Sequence, residues 1–243
     1  MMRVAVIADI HGNLTALEAV LADVAAQRAD QVVCLGDVAA TGPQPREVVS
    51  RLRDLGCPVV RGNTDADAVR PVRLSPLDEE AHRYFDIDRW TSAQLSPKDL
   101  AYLRTFQITI TLPLGDDATL LCFHGSPRSN TADIFATTPD PVLARMLDGY
   151  AATVMAGGHT HTPFVRRLRQ LLFLNPGSVG QPFEATASGI RHLPWAEYAI
   201  VEREDSARLS VELRRVPIDA DRVLQSVLQS GMPHAEWLAS RWR

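Results

Sequence analysis

Short apolar runs in this chain end, five times over, on a polar residue beside glycine. That recurrence limits the fold more than any other feature. The blocks are Asp9-Ile10-His11, Gly36-Asp37, Gly62-Asn63, His124-Gly125 and Gly158-His159-Thr160-His161. Runs such as 3–8 (RVAVIA) and 31–35 (QVVCL) are rich in Val and almost free of polar residues. Strands of that composition are covered on both faces, as in parallel sheets with helices outside. The neighbouring glycines permit tight turns that bring the backbone close to whatever the polar groups surround.

The segments between the runs extend the pattern. Leu14, Leu17, Val20, Leu21 and Val24 recur at helical spacing. Residues 45–55 read as a second helix with Pro45 in its first turn, and Pro58-Val59-Val60 as a short third strand. Strand, helix, strand, helix, strand implies right-handed βαβ units. The stretch from about 65 to 105 breaks this rhythm. It is charged, carries Tyr84, Phe85, Trp90 and Tyr102, and has helix-start signals at Ser75-Pro76 and Ser96-Pro97. A helical insertion beside the polar blocks is expected there. Further strands are expected at 107–112 and 118–123, joined by a turn at Leu114-Gly115-Asp116-Asp117. Others are expected at 152–156, in a hairpin of 164–168 with 171–174, and in an antiparallel pair of 197–202 with 209–215. Helices are expected at 140–147 and 219–229, with another in the tail from Pro233. The fold class this predicts is α/β: two stacked mixed sheets flanked by helices, in a single domain covering residues 1–243.

Bulk properties narrow the function. Hydrophobic residues make up 46% of the 243 and charged residues 22%, enough for a packed core. The formal charge of −4 argues against a dedicated nucleic-acid binder. It does not oppose a small phosphate substrate where bound cations reverse the local sign. Cys34, Cys57 and Cys122 lie far apart and read as buried small hydrophobes rather than a disulfide framework. No apolar run reaches the ~18 residues of a membrane span. The strand pattern begins at once, without a signal-peptide pattern, so a cytoplasmic location and no membrane partner are expected.

Asp9, His11, Asp37, Asn63, His124, His159 and His161 together offer carboxylate, amide and imidazole ligands from separate parts of the chain. Such a mixture suits two divalent transition-metal ions, Mn foremost and Fe, Ni, Zn or Co as alternatives, over Ca or Mg. A carboxylate able to bridge would let the ions sit ~3.5–4 Å apart, the spacing of phosphoryl chemistry. These blocks, in this order, resemble the calcineurin-like metallophosphoesterase family. Asp9-Ile10-His11-Gly12-Asn13-Leu14 and Asn175-Pro176-Gly177-Ser178-Val179-Gly180 are similar to its small bacterial and archaeal phosphodiesterase-like branch. The resemblance implies a double β-sandwich with a dinuclear site at the strand ends. It also implies a ligand division: Asp9, His11 and His161 for one ion, Asn63, His124 and His159 for the other, and Asp37 between them. Asp9, Asp37, Asn63 and His124 would then be catalytic, with a metal-bridging hydroxide as nucleophile on a small phosphate ester.

One block departs from the family. Many members have His after the Asn of the third block, where this chain has Thr64 followed by Asp65. Threonine supplies no proton near neutral pH, so a group that helps the leaving alcohol is missing unless Asp65 acts instead of simply packing or capping. That favours phosphodiesters or activated aryl esters. Asn13 is a candidate substrate donor or a helix cap. Arg128 is a candidate phosphate clamp or a solvated loop residue, and Arg61 is equally ambiguous. His82, His192 and His234 read as local or surface groups, His192, in a Gly/Pro-flanked loop, being the most suggestive. Trp237 and Trp242 read as packing, with a homo-oligomer contact as the alternative. Two other functions remain: a nuclease, on the strength of Arg166, Arg167 and Arg169, and a non-catalytic protein-binding scaffold of the same fold.

Overall fold

Alternation of apolar residues along the first strand decides how the layers stack. In β1 (Met2–Ile7) the side chains of Val4 and Val6 face one way and those of Ala5 and Ile7 the other, and all four are fully buried. The computed structural model describes residues 2–71, 78–187, 189–204 and 208–242. Within them β2 (Gln31–Cys34) runs parallel to β1, pairing Val6 with Val33. On the other side β10 (Trp195–Arg203) pairs antiparallel, Val6 facing Ala199, and β11 (Leu209–Pro217) completes the sheet in the order β11-β10-β1-β2.

A second sheet has the order β3-β4-β5-β7-β6. Its strands are β3 (Thr109–Pro113), β4 (Thr119–Phe123), β5 (Val154–Ala156), β6 (Phe164–Leu168) and β7 (Leu171–Asn175). The inner faces meet through Val4, Val6, Val33 and Leu35 from one side and Leu120, Cys122, Val154 and Leu174 from the other. Burying side chains of this size contributes roughly 1.5–3 kcal/mol each. Helices cover both outer faces. On one, α1 (Leu14–Ala26) and α2 (Pro45–Leu55) lay Leu17, Val20, Val48 and Leu52 on Ala5 and Ile7. On the other, α6 (Asp140–Leu147) sets Leu143 and Leu147 against Phe123 and Phe173.

The expected helical insertion is present as α3 (Asn63–Val69), α4 (Glu79–Gln94) and α5 (Pro97–Leu103). Ser96 and Asp99 cap α5 reciprocally, as the Ser-Pro signal implied. The Ser75-Pro76 signal lies outside the described residues. At the C-terminus α7 (Ala220–Gln229) and α8 (Ala235–Ser240) pack Val227 and Leu238 on Ile87 of α4. Trp237 meets Tyr84 of the insertion edge-on, and Trp242 lies against His192, so both tryptophans pack within the chain.

Two details differ from the sequence reading. The strand at 58–60 is reduced to isolated bridges, Cys34 with Val59 and Val60 with Gln107; Pro58 has no N–H with which to extend the pairing. A hairpin of β8 (Phe183–Thr186) and β9 (Gly189–His192) stands where only a loop was read. Most of its residues are exposed, so it has no apolar alternation to betray it. Among the described residues no helix is long and apolar enough to cross a membrane.

Candidate metal centre

Six of the seven predicted ligands come from loops at the carboxyl ends of strands. Asp9 and His11 follow β1, Asp37 follows β2, His124 follows β4, and His159 and His161 follow β5, while Asn63 opens α3. The structure brings them together in two groups. Ligand atoms of Asp9, His11 and His161 lie within 4.8 Å of one another, and so do those of Asp37, His124 and His159. Asn63 Oδ1 joins the second group, 3.0 Å from His124 Nε2. Asp37 Oδ2 lies between the groups, 3.9 Å from His11 Nε2 and 3.4 Å from His124 Nε2.

Tautomers follow from the outer ring nitrogens. Nδ1 of His11 donates to the Ala40 carbonyl (3.0 Å), that of His124 to Leu35 (2.8 Å) and that of His161 to Gln181 (2.9 Å). A carbonyl only accepts, so each Nδ1 carries the hydrogen, and the neutral rings of His11 and His161 turn an Nε2 lone pair inward. Nε2 of His11 and Nε2 of His161 are 3.1 Å apart. Two lone pairs at that distance repel, and a shared cation or proton removes the conflict. Asp9 Oδ1 is buried and accepts no hydrogen bond, a costly arrangement for a carboxylate that no cation satisfies. The donor set fits divalent transition metals.

Charge in the protein groups alone is finely divided. Burial pushes the Asp9 carboxyl up to about 8, with Asp37 adding to the rise and His124 opposing it. Burial works against a charged His124, but Asp37 and Asp9 overcome it and push the imidazole up to about 10. Burial also raises Asp37, yet His124, His11 and the Thr64 N–H hold it well below the usual carboxylate range. Burial and neighbouring His11 lower His161 to about 3.

The backbone is strained where the candidate ligands sit. Asp9 (φ 55°), His11 (46°), Asp37 (52°), His159 (69°) and His161 (54°) are all left-handed. That conformation costs a side-chain-bearing residue roughly 1–2 kcal/mol. Ladder-like bonds hold it: Asp9 N donates to Gly36 O, and His11 N to Asp37 O, each at 3.0 Å. Gly62 is required by close approach, since a Cβ there would lie 1.9 Å from Asp37 Oδ1.

Several positioning residues had no role in the sequence reading. Ser178 Oγ (2.8 Å) and Gly180 N (2.9 Å) both donate to the Asp9 carbonyl. Asn175 Nδ2 reaches the Gly158 carbonyl (2.8 Å), fixing the start of the two-histidine loop. Gln181 supports the first group, its side-chain amide donating to Thr41 O (2.8 Å) while its backbone carbonyl receives His161. Only the loop text around 175–180 could have pointed to them, and it carries no chemistry of its own.

Other candidates fall elsewhere. Asn13 caps α1, accepting from Ala16 N and donating to Gly180 O at 3.0 Å each, so its amide is committed to the fold. The Arg128 guanidinium binds the Asp148 carbonyl and lies over Tyr150, away from the cleft, because those partners satisfy it. Asp65 is buried and accepts from Asp37 N (2.9 Å), Gly62 N (2.9 Å) and Val38 N (3.0 Å). Burial pushes its carboxyl up to about 6 while those donors pull the other way, and three N–H bonds require the carboxylate. It pins two ligand loops together instead of donating a proton. His192, read as a loop residue, is buried on β9 and borders the same cleft as His11 and His161.

Comparison with known proteins agrees with this geometry. The sequence model of the calcineurin-like phosphoesterase superfamily domain matches residues 2–204. Protein MJ0912 of Methanocaldococcus jannaschii, itself uncharacterised, is 29% identical over 98% of this chain and 96% of its own length. Phosphodiesterase YfcE of Escherichia coli is 27% identical over 75% of this chain and 82% of its own. Among solved structures, a metallophosphoesterase from Sphaerobacter thermophilus superposes with a TM-score of 0.76 at 29% identity, covering 99% of this chain and 97% of that one.

Proposed function

The chain belongs to the calcineurin-like phosphoesterase superfamily, and from that premise we propose that it is a metal-dependent phosphodiesterase hydrolysing a small-molecule or nucleotide phosphate ester. The inward-facing Nε2 atoms of His11 and His161 carry the reading, because a cation shared between them satisfies that geometry. Two divalent ions, Mn first and Fe, Ni, Zn or Co next, would supply Lewis acidity and a lowered water pKa. Asp9, His11 and His161 would hold one, and Asn63, His124 and His159 the other, with Asp37 Oδ2 shared. Two carboxylates against two divalent ions leave the site positive, as an anionic ester needs.

The protein's own groups set orientation. The Ala40, Leu35 and Gln181 carbonyls fix which imidazole nitrogen faces in, and Asp65 fixes Asp37. Thr64 in place of a proton-donating residue, together with the similarity to a phosphodiesterase, favours diesters and esters with good leaving groups. The nuclease reading loses support. Arg166 is spent on the carbonyls of Ala136 and Thr138 and on Asp140, and it points to the opposite face of β6 from Arg167, while Arg169 lies in the turn beyond the strand.

Turnover of a bis-aryl phosphate against an aryl monophosphate, with Mn, Ni, Zn and Mg, tests the proposal. Faster metal-dependent cleavage of the diester, abolished by Asp9→Asn, is expected. Failure on both esters with every metal would move the chain to the scaffold reading.

A further inference from the structure

The reading above leaves one gap: no group at the third block can protonate a departing alcohol. The cleft itself holds candidates. It encloses about 260 Å³ and is bordered by His11, Asp37 and His161 on the ligand side and by Tyr84 and Asp88 of α4 on the other. A second cavity of about 560 Å³ lies beside it, lined by Phe85, Ala68 and Asp67 among others. Thr64, Tyr84 and Asp88 border both spaces. An ester whose phosphate lies against the ligand loops and whose organic arm fills the larger cavity therefore has its scissile bond at those three residues.

We propose that Asp88, brought to this boundary by the helical insertion, is a catalytic residue that protonates the leaving-group oxygen. The inference rests on the phosphodiesterase reading. Thr41 Oγ1 donates to Asp88 Oδ1 at 3.0 Å. That bond, with another from the Thr41 backbone, orients the carboxyl at the boundary of the two cavities. Burial pushes the Asp88 carboxyl up to about 7; the Thr41 hydroxyl opposes the rise, and Asp37 and Asp67 add to it. A carboxylic acid in that range is matched to proton transfer near neutral pH. The other groups nearby are unsuited. Asp65 is held as a carboxylate by three N–H donors. Burial, with His11 and Arg241 nearby, keeps His192 down at about 3, and burial pushes the Tyr84 hydroxyl up to about 12.

A water oxygen forms its bond to phosphorus and gives up a proton to solvent. The phosphorus–ester bond breaks with its electron pair on the ester oxygen, which takes the Asp88 proton. The neutral alcohol departs through the larger cavity, and the carboxylate regains a proton from solvent.

A leaving-group series on the metal-loaded protein tests this. Aryl phosphodiesters from nitrophenyl to unsubstituted phenyl are compared for wild type, Asp88→Asn and Asp88→Glu. In Asp88→Asn, kcat is expected to hold for the nitrophenyl ester and fall roughly 100-fold or more for the phenyl ester, with KM little changed. The alkaline limb of the kcat profile is expected to disappear, and Asp88→Glu to recover part of the loss. Metal content should equal that of wild type, and in the zinc-loaded protein the Asp88 carboxyl carbon should titrate above the ordinary carboxylate range by NMR. An equal effect of Asp88→Asn on every ester, or an ordinary titration, overturns the role of Asp88 while leaving the phosphodiesterase reading intact. An inactive wild type overturns both.

Discussion

His11 and His161 present bare Nε2 atoms to each other at 3.1 Å, although they lie 150 residues apart in the chain. Each ring is fixed from behind by a backbone carbonyl, so neither can turn away to relieve the clash without leaving an N–H or a carbonyl unpaired. The strained φ angles at both residues point the same way. The fold holds these imidazoles in place at a cost in stability, which is expected where a bound group returns the free energy.

Cation binding should release protons. In the apoprotein Asp9 lies at about 8 and His124 at about 10, so both are largely protonated at neutral pH. A ligand must be unprotonated, so binding at neutral pH should free roughly one to two protons per chain, and affinity should rise with pH. Calorimetric titration of Mn into the apoprotein, in buffers of different ionisation heat, measures the number. A heat independent of buffer contradicts the charge assignment.

Asp65→Ala should damage the site without touching a ligand. The change strands the N–H groups of Asp37, Gly62 and Val38. Each unpaired buried donor costs roughly 1–3 kcal/mol, so thermal unfolding should shift down by several degrees and metal affinity should weaken. Asp65→Asn, which keeps one acceptor oxygen, should fall between. Unchanged melting and metal affinity in Asp65→Ala would show that the loops hold themselves.

Acid should erase one tie between α1 and the first sheet. Asp23 receives Arg214 Nε (2.8 Å) and the Tyr198 hydroxyl (2.7 Å). The Arg214 hydrogen bond, with help from Tyr198 and against partial burial, holds its carboxyl below the usual range. A depressed folded pKa contributes stability that is fully present above the unfolded value of about 3.9 and is lost as pH falls through the folded one. Asp23→Asn should therefore cost roughly 1–2 kcal/mol near neutrality, and the gap from wild type should close below about pH 4. Denaturant titrations of both proteins across that range check it; a gap that widens on acidification refutes the assignment.

Much of this was legible in the residues. Apolar runs such as 3–8 announced doubly covered strands, Leu17 and Val20 announced α1, and the seven candidate ligands were marked by glycine-flanked polar blocks. What escaped was set by tertiary contact. The β8–β9 hairpin is mostly exposed and carries no alternation, so His192 read as a loop residue until β9 placed it at the cleft. Asn13 and Asp65 each had two readings in sequence. Backbone partners from distant loops, Gly180 for one and Val38 for the other, are what the sequence could not place beside them. Asp88 had no signal at all, because its meaning depends on which cavities α4 faces.

Metal content of the purified chain and of two single variants tests the paired-cation centre most directly. Wild type loaded with Mn and dialysed should retain about two ions per chain. His161→Ala and His124→Ala, each removing a ligand from a different group, should each retain about one ion with an unchanged circular dichroism spectrum. A wild type that holds no stoichiometric metal, or two variants that keep the full complement, contradicts the account.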